Sequence, residues 1–400
     1  MLDRFNVSNF KSLMNVHFEP AGVNLLVGAN NAGKTNLCHA LRFVGLTSRL
    51  PLDDAARHCT AEPWNLLNVY GEGDTLSVEV QCTLTSEEET LRFTYSLCVA
   101  GRRNPGSTSF TRPFVLASES LRVTGGRFSD TVLLGNRNGS VRLLHEKRFV
   151  EGQTTGPAYV ETTAPTDTTM LLRLYDLETN RRANLFKRYL TSWGYYSLDP
   201  AQLRSNAATL MDRVLEPTGS NLCSVLNTLH NERPREERNV IEAARLIEPR
   251  LDFISFHCPD PEHVYMFFED REGHRFGVQN LSDGTLRFLA ICYLVIAGRR
   301  ENAAQPAPPV IMIEEPENGI YVGHLKPLFE RLDPSGAMGQ FIFSSHNPYF
   351  IDLFDGTLEG VHVVKAGAKY SEVRKVDPVR VKGLLGRFSL GDMHFRGLLE

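Results

Sequence analysis

The hydrophobic positions near both ends of the chain form short, largely apolar runs. Such runs lie at 23–27, 310–313 and 340–344. A strand that is apolar on both faces is typical of a sheet covered by helices on both sides. Helical spacing follows at 34–44 and at 285–297. The two ends therefore predict an α/β fold with buried strands.

The middle of the chain follows different patterns. Alternating apolar and polar positions from 74 to 100 predict an antiparallel hairpin, whereas 46–74 reads as irregular and 101–140 as loops between short strands. From about 170 to 249 the spacing is helical, with one helix predicted over 183–196. We expect four units: an N-terminal lobe (1–74), a β-rich arm (75–165), a helical lid insertion (166–275) and a C-terminal lobe (276–400).

A glycine loop joins the first buried strand to its helix. Residues 28–35 read Gly-Ala-Asn-Asn-Ala-Gly-Lys-Thr, which satisfies the pattern GxxxxGK[ST] in the strand–helix context that its chemistry requires. The glycines let backbone N–H groups converge on phosphate oxygens, Lys34 reaches the β- and γ-phosphates, and the Thr35 hydroxyl can ligate Mg²⁺. The alternative is a glycine loop that merely turns the chain. We expect the residues that bind a nucleoside triphosphate to be Gly28, Asn30, Asn31, Ala32, Gly33, Lys34, Thr35 and Asn36.

Two carboxylates follow the apolar strand at 310–313. Glu314 would hold Mg²⁺, directly or through water, and Glu315 would polarise the water that attacks the γ-phosphate. A buried strand holds its last residue rigidly at the sheet edge where ligands of open α/β sheets bind. Taken alone, an apolar strand followed by acids is a common pattern, and a strand that simply ends at the surface is the alternative.

Two further polar residues lie at the ends of predicted elements. Ser282 precedes the apolar helix and is a good N-cap, so a capped, buried helix explains it without any further role. His346 follows the strand at 340–344, a position where a lone histidine is more often structural. Taken singly, neither residue indicates a function.

Together, these motifs resemble those of the ABC-type ATPase heads of the SMC, RecF and OLD group. The residues 281–284, Leu-Ser-Asp-Gly, are similar to the signature of that group, and 315–319, Glu-Pro-Glu-Asn-Gly, resemble the acidic end of Walker B with the D-loop. His346 matches the switch histidine, and 5–12 resemble the opening strand and turn of these heads. The resemblance covers about 1–45 and 276–400.

The resemblance implies a P-loop NTPase fold, an ATPase activity, and ATP with Mg²⁺ as cofactors. It implies that Ser282 and Gly284 contact the γ-phosphate held by a second copy of the chain, so that a homodimer encloses two nucleotides. Lys34, Glu315 and His346 would then be the catalytic residues. Lys11 and Ser12 would lie near the nucleotide.

The segment between the glycine loop and the signature distinguishes the chain from these relatives. It contains no sustained heptads and no CxxC pair, so we expect neither a long coiled coil nor a zinc hook. The chain after His346 is too short for the nuclease domain that OLD-type proteins carry there. We expect a stand-alone head with a small β arm and a helical lid.

The composition limits the partners of such a head. Lys and Arg number 43 and Asp and Glu 47, so the net charge of −4 excludes coating of nucleic acid through bulk positive charge. No apolar run approaches the length of a membrane span, and the seven cysteines are scattered singly. We expect a protein of the reducing cytoplasm with no membrane partner.

A stretch rich in cations and aromatic residues, 181–196, allows two interpretations. Its side chains could grip phosphates and stack on bases of a nucleic acid. Alternatively, the stretch is an amphipathic lid helix with buried aromatics and solvated cations. We favour the second interpretation because the net charge of the chain is negative.

Two functions stay open for the ATP cycle. In the first, hydrolysis drives DNA maintenance or repair, or anti-phage defence, with DNA as a partner. In the second, the head is an ATP-gated scaffold that controls a separate effector protein, such as a nuclease or a toxin. A kinase or GTPase is disfavoured because the chain has no NKxD-type guanine motif, and a transporter because it has no membrane span.

Overall fold

Within its described residues, the computed structural model contains three β-sheets and the helices that connect their strands. The residues that it describes are 1–71, 73–85, 89–101, 114–150, 158–175, 179–205, 212–260, 263–297, 309–336 and 339–399. The strands are β1 (Leu2–Ser8), β2 (Val16–Phe18), β3 (Val23–Val27), β4 (Thr75–Thr85), β5 (Thr90–Gly101), β6 (Phe114–Gly125), β7 (Phe128–Arg137), β8 (Ser140–Leu144), β9 (Tyr159–Thr163), β10 (Gly194–Tyr196), β11 (Leu251–Asp260), β12 (His263–Asp270), β13 (Arg275–Gly277), β14 (Val310–Glu314), β15 (Gln340–Ser345), β16 (Val361–Ala366) and β17 (Ser371–Lys375).

Several helices begin at a polar side chain that accepts a hydrogen bond from a backbone N–H group of the first turn, as N-caps do. These caps are Thr169, Asp199, Ser282, Asn347, Asp377 and Ser389. The helices are α1 (Lys34–Thr47), α2 (Leu52–Arg57), α3 (Glu146–Val150), α4 (Met170–Arg173), α5 (Arg181–Thr191), α6 (Pro200–Leu203), α7 (Leu222–Glu232), α8 (Pro234–Ala244), α9 (Asp283–Cys292), α10 (Val322–Phe329), α11 (Pro348–Ile351), α12 (Pro378–Leu384) and α13 (Leu390–Phe395). Among the described helices, none combines the length and the apolar character needed to cross a membrane.

The central sheet has the strand order β10-β14-β15-β3-β16-β17. Its first five strands are parallel, and β17 pairs antiparallel with β16. Met312 and Leu26 pack with α1 on one face, while Ile313 and Leu25 pack with α9 on the other. Because both faces are covered, β3, β14 and β15 are buried along nearly their whole length, which confirms the buried strands predicted from the sequence.

The register of the central sheet brings three strand ends to one edge. Glu314, the last residue of β14, lies opposite Ser344 of β15, and Ser345 lies opposite Val27, the last residue of β3. Since the three strands are parallel, the segments that follow them emerge on the same side of the sheet. We call this side, where β3, β14 and β15 end, the site edge.

The second sheet is antiparallel, with the strand order β2-β1-β4-β5-β6-β7-β8-β9. β4 and β5 pair along their whole length, which confirms the predicted hairpin. The opening strand β1 pairs with β4, so the residues of the predicted arm continue a sheet that begins in the first residues of the chain. α5 packs on this sheet, where the ring of Phe186 stacks on Phe93.

Two predictions for the middle of the chain are wrong. The region 46–74 is not irregular throughout, because it contains α2 and a 3₁₀ helix, Pro63–Leu66. The described part of 101–140 consists mainly of two long strands, β6 and β7, rather than loops. In β6 the buried Leu121 and Val123 alternate with polar side chains, and these polar residues suggested loops. Residues 102–113 lie outside the described part of the chain.

The helix predicted over 183–196 ends earlier than expected. α5 stops at Thr191, and Gly194–Tyr196 form β10, which pairs parallel with β14. A three-residue strand carries too little periodicity to be seen in a sequence, and its backbone partner lies far along the chain. The aromatic residues of 181–196 are buried, which confirms the structural interpretation for them: Phe186, Tyr189, Trp193, Tyr195 and Tyr196.

The α/β fold predicted from the sequence is confirmed, and it contains a third, three-stranded sheet, β11-β12-β13. The boundaries of the four predicted units (1–74, 75–165, 166–275 and 276–400) stay predictions. All seven cysteines are unpaired, as expected from their scattered positions.

Candidate functional site

The glycine loop, 28–33, curves tightly between β3 and α1. Asn31 has φ 62° and Gly33 has φ 109°, both in the left-handed region. A side chain at Gly33 would also collide with its surroundings, since an added Cβ would lie 2.3 Å from Ser371 Oγ and 3.0 Å from Ser12 Oγ. Glycine is therefore required at this position both for the backbone conformation and for space.

The start of α1 has the properties of an anion site. α1 is 14 residues long, no side chain caps its N-terminus, and its first turn contains no acidic residue. The unpaired N–H groups and the positive end of the helix dipole therefore face the glycine loop. Lys34, the first residue of α1, is buried and donates hydrogen bonds to the carbonyls of Gly28 (2.7 Å) and Ala29 (3.0 Å). The positively charged Lys34 ammonium thus lies on the inner side of the glycine loop.

Glu314 is a half-buried carboxylate at the site edge. Its Oε2 accepts a hydrogen bond from the Tyr195 hydroxyl (2.9 Å), and the nearby Thr35 hydroxyl helps to stabilise the charged carboxylate. Its Oε1 is buried without a hydrogen-bond partner among the described residues. Burial raises the pKa of Glu314, and the negative charge of Glu315 adds to this, while the hydrogen bonds from Thr35 and Tyr195 oppose it.

These features of Glu314 and Thr35 fit a magnesium ion. Carboxylate and hydroxyl oxygens are the hard ligands that Mg²⁺ prefers, and an unpartnered, buried carboxylate oxygen is costly unless something binds it. A cleft of about 110 Å³ lies beside them. Its polar lining comes from Thr35, Ser197, Arg287, Glu314, Glu315 and Asn318. The cleft has room for a hydrated cation beside Thr35 and Glu314.

Glu315 and His346 touch each other across neighbouring strand ends. Glu315 Oε1 lies 3.0 Å from His346 Nδ1, and Glu315 Oε2 accepts a hydrogen bond from Asn318 Nδ2 (2.7 Å). The Glu315 backbone has φ 42°, an uncommon conformation for this residue type, and its N–H bonds to the Ser344 carbonyl (2.9 Å). Left-handed backbone at a non-glycine residue costs about 1 kcal/mol, and such strain concentrates at functional sites.

Ser282 and Gly284 lie at the start of α9. The Ser282 hydroxyl accepts a hydrogen bond from the Thr285 N–H (3.0 Å), as the N-cap interpretation requires. An added Cβ at Gly284 would lie 2.1 Å from the Gly319 carbonyl oxygen, so the helix start is pressed against the turn that follows Glu315. Within the described residues, neither Ser282 nor Gly284 is hydrogen-bonded to the glycine loop of the same chain.

Of the two residues expected near the nucleotide from 5–12, only Ser12 reaches the glycine loop. Its hydroxyl accepts hydrogen bonds from Asn36 Nδ2 and Ser371 Oγ, both 2.7 Å, and lies beneath Gly33. Lys11 instead donates to the Cys59 carbonyl (2.6 Å) and to His39 Nδ1 (2.7 Å). Burial lowers the pKa of Lys11, and the charge of Glu314 opposes this shift.

Three further residues of the site were not identified from the sequence. The sequence predicts Tyr195 within a helix, and no pattern points to its contact with Glu314. Arg287 donates to the Asn318 carbonyl (2.9 Å), and its signal is a lone charge inside an apolar helix. Glu317 is buried and accepts a hydrogen bond from Ser345 Oγ, and burial raises its pKa.

Comparisons with known families and sequences find matches over parts of the chain. Residues 172–352, less than half of the chain, match a family described as "AAA domain, putative AbiEii toxin, Type IV TA system". A stretch of 82 residues is 37% identical to the DNA replication and repair protein RecF of Lactobacillus acidophilus. That stretch is 20% of this chain and spans only 20% of the relative.

Solved structures of SMC heads share the fold. A SmcHead bound to the C-winged helix domain of ScpA superposes with a TM-score of 0.53 at 12% identity, covering 93% of this chain and 96% of that one. The Pyrococcus furiosus Smc head domain with an extended coiled coil, bound to the C-terminal domain of ScpA, gives 0.52 at 11% identity, covering 96% and 98%. At such identities the likeness shows the fold alone. It confirms the P-loop NTPase fold and the expected resemblance to ABC-type heads.

Proposed function

We propose that this chain, an ABC-type ATPase head of the SMC and RecF group, binds ATP with Mg²⁺ between two copies of itself and hydrolyses it. One observation carries the proposal: the glycine loop, Glu314 with Glu315, and His346 follow three adjacent parallel strands and emerge at the same site edge. A phosphate-binding loop, a metal carboxylate and a candidate base in one place are the parts that triphosphate hydrolysis requires.

Binding begins with the phosphates. The N–H groups of the glycine loop and of the first turn of α1 would face the β- and γ-phosphate oxygens. Lys34 would exchange the carbonyls of Gly28 and Ala29, which it contacts here, for phosphate oxygens. Thr35 and Glu314 would hold Mg²⁺, which when bound neutralises charge on those oxygens.

Hydrolysis then needs a positioned water. Glu315 would accept a proton from a water as its oxygen attacks the γ-phosphorus, while the bond from that phosphorus to the β–γ bridging oxygen breaks and ADP leaves. His346, 3.0 Å from Glu315, would contact the γ-phosphate from the neighbouring strand. The protein's part is positioning and charge stabilisation, with no covalent step on the chain.

A second copy would complete the site. Ser282 is exposed at the N-terminus of α9, where a second copy could reach it, and Gly284 allows the helix to approach the turn at 317–319 closely. Tyr321 comes shortly after this turn, and Tyr349 comes shortly after His346. Each of these tyrosines is 74% exposed. Large exposed rings beside a site are typical of a surface that a partner covers. We therefore propose a homodimer with two composite sites.

The direct experiment measures ATP binding and phosphate release by the wild type and by Lys34→Ala. Loss of the Lys34 ammonium removes a charge from the phosphate site, so nucleotide binding should weaken at least about 10-fold. Lys147→Ala, which removes an exposed lysine of α3, is the matched control and should bind as the wild type does. Absence of ATP binding in the wild type would refute the proposal.

A second candidate function is an ATP-gated scaffold for an effector protein. It is favoured by the two SMC heads above, which are bound to domains of ScpA, and by the toxin named in the family description. The RecF match favours a role in DNA repair. ATP turnover stimulated by double-stranded DNA would favour the repair role. Turnover indifferent to DNA, with one stably co-purifying protein, would favour the scaffold.

A further inference from the structure

Four buried or half-buried side chains form a continuous hydrogen-bonded chain that ends on Glu314. Lys11 Nζ lies 2.7 Å from His39 Nδ1, His39 Nε2 lies 3.2 Å from the Tyr195 hydroxyl, and that hydroxyl lies 2.9 Å from Glu314 Oε2. These hydrogen bonds connect Lys11, α1 and β10 to the carboxylate at the end of β14.

Each hydrogen bond in this series is donated in the direction of Glu314. The Lys11 ammonium can only donate, so His39 Nδ1 must accept, and the proton of the neutral ring then sits on Nε2. Burial, together with the charges of Lys11 and Arg42, lowers the pKa of His39 to about 3, so the ring is neutral at ordinary pH. His39 Nε2 therefore donates to the Tyr195 oxygen, which leaves the Tyr195 hydroxyl proton for Glu314.

Tyr195 is held in a single orientation. It lies in β10 opposite Met312 of β14, two residues before Glu314, so the two side chains project from the same face of the central sheet. The Arg42 guanidinium lies 4.6 Å from the centre of its ring, and the His39 ring lies 5.1 Å away. Because these contacts hold the Tyr195 ring in place, its hydroxyl can in turn hold the Glu314 carboxylate in one orientation.

We propose that Tyr195 is a positioning residue, which binds one oxygen of Glu314 and so directs the other toward Mg²⁺. This inference rests on the proposed function, because it concerns the metal that Glu314 would hold. The observation behind it is the asymmetry of the carboxylate: Oε2 is taken by Tyr195, whereas Oε1 is buried and has no partner among the described residues. Groups that orient a ligand in this way control metal affinity without touching the metal.

The test is a Mn²⁺ titration of the full chain with ADP, in which electron paramagnetic resonance measures free Mn²⁺. Tyr195→Phe removes only the hydroxyl and keeps the ring against Arg42 and His39. We expect the dissociation constant for Mn²⁺ to rise about 10-fold. ADP binding in EDTA should be unchanged, because the glycine loop is untouched. An unchanged Mn²⁺ constant, or an equal loss of metal-free ADP binding, would overturn the inference.

Two variants separate positioning from a merely structural role. Tyr196→Phe changes the adjacent ring, which packs on the opposite face of the sheet, and should bind Mn²⁺ as the wild type does. His39→Leu should weaken Mn²⁺ binding by itself, but should add nothing to Tyr195→Phe, since it acts through the Tyr195 hydroxyl. If the two substitutions weakened Mn²⁺ binding additively, this would contradict the inference that His39 acts through the Tyr195 hydroxyl.

The same titration distinguishes failure of the inference from failure of the proposed function. If the wild type with ADP binds no Mn²⁺, the proposed metal site is wrong and the inference falls with it. If the wild type binds Mn²⁺ and Glu314→Gln does not, while Tyr195→Phe matches the wild type, only the role of Tyr195 is refuted.

Discussion

Replacement of Glu315 by glutamine separates catalysis from binding at the site edge. The carboxylate accepts a hydrogen bond from Asn318 Nδ2 at 2.7 Å and lies 3.0 Å from His346 Nδ1. A glutamine of the same shape can keep its oxygen toward Asn318 and turn its NH₂ group toward His346 Nδ1 in the tautomer whose ring proton is on Nε2. Both contacts survive, so the fold and the position of the side chain should be retained. The amide, however, cannot accept a proton from water.

The expected fall in kcat follows from the loss of the proton acceptor at Glu315. General-base catalysis contributes 10²–10⁴-fold, so kcat for ATP hydrolysis should fall by about 10²- to 10⁴-fold. ATP affinity depends on the glycine loop and Lys34, and should change by less than about threefold. Because ATP persists uncleaved, the variant should also remain dimeric with ATP and Mg²⁺.

Phosphate release at saturating ATP, ATP calorimetry and sedimentation on the same preparation measure these three quantities. Glu330→Gln, which alters an exposed carboxylate just after α10, is the matched control and should keep the parental rate. Hydrolysis by Glu315→Gln at the parental rate would show that Glu315 is not the base.

Two further predictions concern packing and pH. Gly284→Ala should lower ATP turnover at least about 10-fold while leaving ATP binding intact, because its Cβ would lie 2.1 Å from the Gly319 carbonyl oxygen and must displace it. The control is Gly356→Ala, where an added Cβ meets nothing within 4 Å. This variant should be neutral in the same phosphate-release assay. Burial raises the pKa of Glu119 to about 7 from an ordinary 4.5, so its stabilising protonation is complete below pH 4.5 and is lost as the pH rises through about 7. The wild-type free energy of unfolding should therefore fall by about 3 kcal/mol through this group over that window, and urea unfolding of Glu119→Gln should lack that part of the fall; parallel pH profiles would contradict this assignment.

The part of the site that could be predicted from the sequence depends on local order. Glu314 ends a buried strand, and the glycine loop and His346 each follow one directly. A few neighbouring residues therefore define both the chemistry and its place at a strand end. Tyr195 could not be found in this way. It reaches Glu314 only because β10 pairs with β14, and that pairing joins residues more than a hundred positions apart in a strand of three residues.

The middle of the chain illustrates the same limit. The polar faces of β6 and β7 resembled loops because a sheet that is exposed on one side is rich in the residues that loops also use. Their buried partners, such as Leu121, become recognisable only when the neighbouring strands are known. Lys11 lies elsewhere than the resemblance implies. The resemblance places it near the nucleotide, whereas in the structure its ammonium donates to His39 and to the Cys59 carbonyl within the protein.

The central claim is that each ATP site combines the glycine loop of one copy with the start of α9 of another, and mixing two inactive variants tests it most directly. Lys34→Ala disables the loop, and Ser282→Arg, at an exposed position, blocks the start of α9. In a mixed dimer one of the two sites has both intact parts. With random pairing, an equimolar mixture should therefore recover about a quarter of the wild-type ATPase rate. A mixture no more active than the average of its two components would contradict the claim.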